Sequence, residues 1–273
     1  MKIALTIAGS DSGAGAGIQA DLKTFAACGV YGVNVITALT AQNTQGVFGV
    51  MPVKPEFISK QLMVLMKDMG CQAAKTGMLF SRQVIEAVAH DIRKHNIEPL
   101  VVDPVMVAKG GHSLLQPEAE AALVSCLFPL AFLVTPNLDE ARRITKMKTI
   151  NDLDQMKEAA FKISVLGPRH VLIKGGHLPG NATDLLFDGK KFTVLEAPRI
   201  NTSNTHGTGC TYSAAITAFL ARGEKIDSAV AKAKRYVTGG IKNSLSIGHG
   251  HGPLDHFWEN EKKIHRSCFQ QFM

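Results

Sequence analysis

The residues Asn204-Thr205-His206-Gly207-Thr208-Gly209-Cys210-Thr211-Tyr212-Ser213 set two glycines among small hydroxyl side chains. They stand directly ahead of a helical pattern, Ala214 to Leu220, that ends near Gly223. Glycine lets backbone N–H groups turn inward, and the start of a helix adds a partial positive charge. Together they form a socket for an anion, most usefully a phosphoryl group in transfer. Cys210 stands at the mouth of that socket. A thiol there is expected to lose its proton more easily than the free value of roughly 8.5. The same letters also read as a plain glycine-rich turn with Cys210 as a small packing residue, so other parts of the chain have to decide.

A second glycine-rich stretch, Gly9-Ser10-Asp11-Ser12-Gly13-Ala14-Gly15-Ala16-Gly17, follows a short apolar run, Ile3 to Ala8, and precedes a helical pattern from Ile18 to about Cys28. Strand, glycine loop and helix invite a dinucleotide-binding reading, and the reading fails. With Gly13 and Gly15 as the first two glycines, Ile18 takes the place of the third. The acidic residue wanted about 20 positions later for a ribose hydroxyl is missing, since no Asp or Glu stands between Asp21 and Glu56. The P-loop is absent as well, because no Gly-Lys pair is followed by Ser or Thr. The loop is better suited to letting a small ligand lie close to the backbone, with Asp21 one turn into the helix.

Four polar groups fall at or just after the ends of apolar runs: Asp103, Asn137, Glu140 and Lys174. Asn137 and Glu140 are three apart at a helix start and share a face. Their oxygens suit magnesium held partly through water, and they suit a capping box equally well. Lys174, after a strand and before two glycines, can reach a nucleotide phosphate or simply end the strand in solvent. Asp103, ahead of Pro104, is a site carboxylate or a turn residue. His249, His251 and His256 have no cysteine pair at finger spacing nearby, so a glycine-rich loop over the site edge is preferred to a zinc site.

The elements that must position these groups alternate. Strands are expected at 3–8, 30–41, 73–78, 100–105, 131–134 and 170–174. Helices are expected at 18–28, 53–69, 81–95, 117–127, 150–166 and 227–244, with a short one opening after Asn137. Asp188-Gly189 marks a hairpin between 183–187 and 191–195. Such alternation predicts a parallel sheet covered by helices on both faces, with ligands at the C-terminal ends of the strands. No linker or repeat divides the chain, so residues 1–273 are expected to form a single α/β domain.

The 273 residues are 45% hydrophobic and 19% charged, which describes a globular protein with ample core. The longest uncharged apolar run, Ala121 to Val134, is too short to cross a membrane and is interrupted by Pro129. No export signal is legible, and the five cysteines are odd in number and scattered. A reducing cytoplasm is therefore expected. The net charge of +7 is spread without runs or aromatic interleaving. Attraction of phosphate-bearing small molecules is expected, and nucleic acid is not.

Taken together, the motifs resemble those of the hydroxymethylpyrimidine/phosphomethylpyrimidine kinases of thiamine biosynthesis, within the ribokinase-like superfamily. The resemblance rests on Thr6-Ile7-Ala8-Gly9-Ser10-Asp11, Gly15-Ala16-Gly17-Ile18-Gln19-Ala20-Asp21-Leu22-Lys23-Thr24-Phe25 and Thr40-Ala41-Gln42-Asn43-Thr44. It continues through Lys75-Thr76-Gly77-Met78, Asp103-Pro104-Val105-Met106, Thr135-Pro136-Asn137, Lys174-Gly175-Gly176-His177 and Thr205-His206-Gly207-Thr208-Gly209-Cys210-Thr211. It implies a three-layer αβα sandwich with a mostly parallel sheet and two successive ATP-dependent phosphorylations of 4-amino-5-hydroxymethyl-2-methylpyrimidine. It also implies that Gln42 reads the pyrimidine edge, with Asp21, Met78 and Gly9 about the same pocket. Lys174, Asn137, Thr208 and Asp103 would meet ATP, and Glu140 with Asn137 would hold Mg2+. Cys210 would take the substrate proton while the N–H groups of Gly207, Thr208, Gly209 and Cys210, with Lys174, hold the moving phosphoryl. Members of the family are often dimers. Relatives acting on pyridoxal lack the Gln42-Asn43 pair, which favours the pyrimidine.

Overall fold

In the computed structural model, residues 1–106, 114–176, 178 and 180–259 are described; His177, part of one motif above, lies outside them. Nine strands form one continuous sheet in the order β3-β2-β1-β4-β5-β6-β7-β8-β9. The parallel body is β1 (Ile3–Asp11), β2 (Tyr31–Asn43), β4 (Ala73–Thr76), β5 (Leu100–Val102), β6 (Leu133–Val134) and β7 (His170–Gly175). One edge ends in the antiparallel β3 (Gly46–Pro52). The other ends in β8 (Ala182–Phe187) and β9 (Phe192–Ala197), the hairpin that Asp188-Gly189 predicts.

Side chains on a strand alternate faces, and the two cores follow that rule. Leu5 and Ile7 of β1, Leu100 and Val102 of β5, and Val171 and Ile173 of β7 join one core. It is closed by α2 (Pro55–Asp68), α3 (Arg82–Lys94), α4 (Pro117–Ala122), α5 (Leu138–Thr145) and α6 (Leu153–Ser164). Ala4, Val101 and Leu172 turn the other way. They meet Phe25 of α1 (Gly17–Ala27), Ile216 of α7 (Thr208–Ala221) and Val230 of α8 (Ile226–Lys242). The result is the three-layer αβα sandwich.

Three expected boundaries shift for physical reasons. β1 runs on to Asp11, because Ser10 and Asp11 keep pairing with Leu39 and Thr40 past an irregularity. β2 does not end at Ala41; it extends to Asn43 and folds back as β3, a strand the sequence reading missed. Phe48 and Met51 of β3 are 71% and 67% exposed, so no buried alternation marks the segment. The helix expected over 117–127 stays α-helical only to Ala122, then widens into a π turn over Leu123–Leu127.

Candidate active site

The two glycine loops meet across the C-terminal ends of β1 and β4. Gly207 caps α7 with φ 79°, and a Cβ on it would lie 1.8 Å from the Gly15 carbonyl oxygen, so only glycine permits this approach. The helix starts at Thr208, so the Thr208-Gly209-Cys210 segment is itself the first turn. N–H groups of a first turn have no intrahelical acceptor. Thr208 N–H turns back to Thr205 O at 3.4 Å and Thr211 N–H to Gly207 O at 2.9 Å. The socket read from the sequence is therefore built from Gly209 and Cys210 N–H groups, with the helix charge behind them.

Lys174 ends β7 beside this turn. Its Nζ lies 2.9 Å from Asp103 Oδ1, and a Cβ on Gly209 would be 3.4 Å from the same Nζ. Asp103 is buried just past β5; its Oδ1 also accepts from Thr135 Oγ1 at 3.0 Å and its Oδ2 from Ser213 Oγ at 3.2 Å. Burial works against both charges, yet each outweighs it for the other. Asp103 and Glu140 hold the Lys174 ammonium above its usual range, and Lys174 with Lys75 holds the Asp103 carboxyl below its own. Asp103 is therefore no plain turn residue, and Lys174 no solvated strand end.

Asn137 and Glu140 do form the capping box. Asn137 N–H donates to Glu140 Oε2 at 2.8 Å, and Glu140 N–H donates to Asn137 Oδ1 at 2.9 Å. Glu140 is also buried, and burial together with the Asp103 charge pushes its carboxyl up to about 7 against the pull of Lys174. The Glu140 carboxyl, raised by burial and by its Asp103 neighbour, is the group here short of positive charge, and its chemistry fits a hard divalent cation such as Mg2+. Among the described residues no group of three or more His, Cys, Asp or Glu is assembled on one metal. Mg2+ in phosphoryl transfer ordinarily takes only one or two carboxylates, with phosphates and water as its other ligands.

The thiol departs from expectation. Burial pushes Cys210 up to about 11, and the Asp21 and Asp103 carboxylates push the same way. The Lys75 ammonium and the Gly17 N–H pull it down only in part. The helix-end argument that predicted an acidic thiol is outweighed by desolvation.

Asp21 is fully buried. It accepts from Thr6 Oγ1 at 2.6 Å and pairs with Lys75 Nζ at 2.8 Å. It sits beneath the site floor with both oxygens engaged. Met78 and Gly9 come together, the Met78 sulfur lying 3.1 Å from where a Gly9 Cβ would be. Gln42 projects from the end of β2; its backbone exchanges hydrogen bonds with Ser12 Oγ at 2.7 and 2.8 Å. Its amide lies 3.3 Å from His206 Nε2 and 3.2 Å from Thr40 Oγ1. Thr208 Oγ1 donates to Thr205 O at 2.8 Å, which leaves its oxygen as an acceptor.

Several members of the constellation carried no role in the sequence reading. Asp11 accepts from the N–H groups of Gly13, Gly15 and Ala16 and pairs with His206 Nε2 at 2.8 Å, stitching the two glycine loops together. An Asp followed by Ser-Gly is the usual signal for such a turn. Lys75 was legible too, as a lysine inside an apolar strand that needs a carboxylate partner. The histidines near the end go separate ways: His251 Nδ1 contacts Ser203 O, and buried His256 contacts Thr211 Oγ1 at 3.1 Å. Their loop does reach the site edge, with His251 N–H on Thr44 O and His206 N–H on Gly252 O.

A glycine turn at a helix start, a lysine–aspartate pair, a buried carboxylate and a side-chain amide come together at one sheet edge, an arrangement suited to phosphoryl transfer. A family model described as phosphomethylpyrimidine kinase matches residues 11–255. The chain belongs to that family. It is 50% identical to the hydroxymethylpyrimidine/phosphomethylpyrimidine kinase of Bacillus subtilis over 93% of this chain and 94% of that one. It is 51% identical to a thiamine biosynthesis bifunctional protein of Geobacter sulfurreducens over 92% of this chain, but spans only 51% of that protein's length. Among solved structures, an ADP complex of Bacillus subtilis pyridoxal kinase superposes with a TM-score of 0.89 at 43% identity, covering 95% of this chain and 99% of that one. The chain is accordingly a kinase with the ribokinase-like fold.

Proposed function

We propose that this kinase phosphorylates 4-amino-5-hydroxymethyl-2-methylpyrimidine with ATP and then phosphorylates the monophosphate, as a step of thiamine biosynthesis. The observation that carries the reading is the meeting of the two glycine loops, with the Gln42 amide against His206 and Lys174 Nζ beside Gly209 of the turn that follows. The substrate hydroxyl oxygen bonds to the terminal phosphorus of ATP, the bond to the ADP oxygen breaks, and the hydroxyl proton passes to the thiolate form of Cys210. The N–H groups of Gly209 and Cys210 and the Lys174 ammonium hold the oxygens of the moving phosphoryl. Thr208 and Asp103 complete the nucleotide side. When bound, Mg2+ would neutralise charge on the phosphates, and Glu140 with Asn137 would hold it.

Gln42, Gly9 and Met78 form the pyrimidine pocket, and Asp21 supports its floor through Lys75. ADP release with ATP and magnesium tests the reading, comparing the aminopyrimidine alcohol with pyridoxal at matched concentration. Preference for the pyrimidine with a second phosphate following supports it, and preference for pyridoxal overturns the substrate. That second reading has a specific basis, the likeness to a pyridoxal kinase reported above.

The β2–β3 ribbon carries exposed Tyr31, Leu39, Phe48 and Met51. Its outer strand has unpaired backbone groups, a template for a second copy, and we assign a homodimer to this face. Among the described residues no helix is long and apolar enough to cross a membrane. A cytoplasmic setting accords with the free thiols of Cys28, Cys71, Cys126 and Cys210.

A further inference from the structure

The Gln42 amide sits in a set of hydrogen bonds whose proton count fixes its direction. Asp11 can only accept while ionised, and its oxygens take three loop N–H groups besides His206. Burial pushes its carboxyl up, but the His206 and loop contacts outweigh burial and hold it below the usual carboxylate range. At 2.8 Å from Asp11 Oδ2, His206 Nε2 must therefore carry the proton. The Gln42 group 3.3 Å from that Nε2–H cannot then be an NH2. It is then the carbonyl oxygen, sharing the one Nε2 proton with Asp11, since the two ends of an amide exchange by a half turn.

Thr40 leads to the same result independently. Its single hydroxyl proton goes to Ser10 O at 2.8 Å. The oxygen is left as an acceptor for the Gln42 group at 3.2 Å, which is then the NH2. Two separate proton counts thus give one orientation, with oxygen towards His206 and nitrogen towards Thr40.

We propose that Asp11, His206 and Thr40 are positioning residues that lock the Gln42 amide in this orientation and so set which heterocycle the kinase accepts. This rests on the reading of Gln42 as the substrate reader. After these contacts the amide keeps one lone pair and one N–H side by side. That edge matches a ring nitrogen next to an exocyclic amine, the pattern of an aminopyrimidine. Pyridoxal has no such neighbouring pair. Gln42 alone does not encode the order: rotated by half a turn it offers the same two groups reversed. The imidazole also packs on Gly15, where a Cβ would lie 2.3 Å from its Cδ2, so the orienting bond is tied to the loop that meets the anion socket.

The first test uses the unaltered protein. Nitrogen NMR of the His206 ring is expected to show a proton on Nε2. The reverse tautomer overturns the proposal whatever the substrate proves to be. The second test is kinetic. His206→Phe keeps a ring on Gly15 and removes the orienting proton. Loss of the Asp11 pairing is expected to lower kcat for both substrates, and kcat/KM for the aminopyrimidine is expected to fall about tenfold further than for pyridoxal, the excess lying in KM. His206→Gln, which restores an N–H donor, is expected to recover part of the discrimination. Equal losses for both substrates would mark His206 as merely structural and defeat the proposal. Failure of the wild type to use the pyrimidine at all would instead defeat the function proposed above, and the tautomer measurement would still decide this one.

Discussion

At the residue scale the site is a set of buried carboxylates, each met by a donor: Asp11 by His206, Asp21 by Lys75, and Asp103 by Lys174. Taking charge out of water is costly unless a partner and further hydrogen bonds meet it, and each of these aspartates has both. Cys210 is the exception, a group whose burial is opposed by one ammonium and one N–H. With its thiol up at about 11, little thiolate is present at neutral pH in the free enzyme. If Cys210 accepts the substrate proton, kcat/KM should rise with pH from neutrality into the alkaline range. Cys210→Ala should lower kcat by about 10²–10⁴ and remove that limb. Steady-state rates across the pH range check both, and a rate within about threefold of wild type would rule out the base role.

At the element scale, the starts of α5 and α7 carry the charge chemistry. Burial and the Asp103 charge raise Glu140 to about 7, above the ordinary carboxylate range. A carboxyl with a raised folded value binds its proton more tightly when folded, so stability should fall as pH rises through that window. The loss is about 3 kcal/mol across it. Glu140→Gln keeps a capping partner and should flatten the fall in urea titrations at pH 5 and pH 8. Added Mg2+ should restore stability to the wild type at pH 8 and not to the variant. At α7 the signs reverse. Burial, with Lys23 adding to it, pushes His256 down to about 4 against the first turn. Stability should therefore fall as pH drops from about 6.5 towards 4, by about 3 kcal/mol in all. His256→Asn should remove that slope, whatever it does to the neutral-pH value.

At the scale of the whole molecule, the sheet brings residues from both ends of the chain to one edge. Asp11 and His206 are 195 positions apart, and Asp103 and Ser213 are 110 apart. The opposite consequence of a long sheet is an open border, and the apolar β2–β3 ribbon is where a second copy should cover it. Phe48→Lys with Met51→Glu should convert the dimer to a monomer in sedimentation equilibrium, with the helical signal unchanged. A wild type that sediments as a monomer would remove the dimer from this picture.

Sequence alone determined the alternation of strands and helices, the hairpin at Asp188-Gly189 and the glycine turn that starts α7, because period, turn chemistry and glycine placement are local properties. It also brought out Lys174, Asp103, Glu140 and Cys210, since each stands where a strand or glycine run stops. Only the tertiary structure decided what those groups face. The acidity expected of Cys210 was reversed by burial, which no local pattern records. β3 was invisible because most of its side chains are exposed and its identity comes from pairing with β2. Asp11, Lys75 and His206 acquired roles only when distant segments met, because an ion pair or a shared proton is a property of two positions and not of either one.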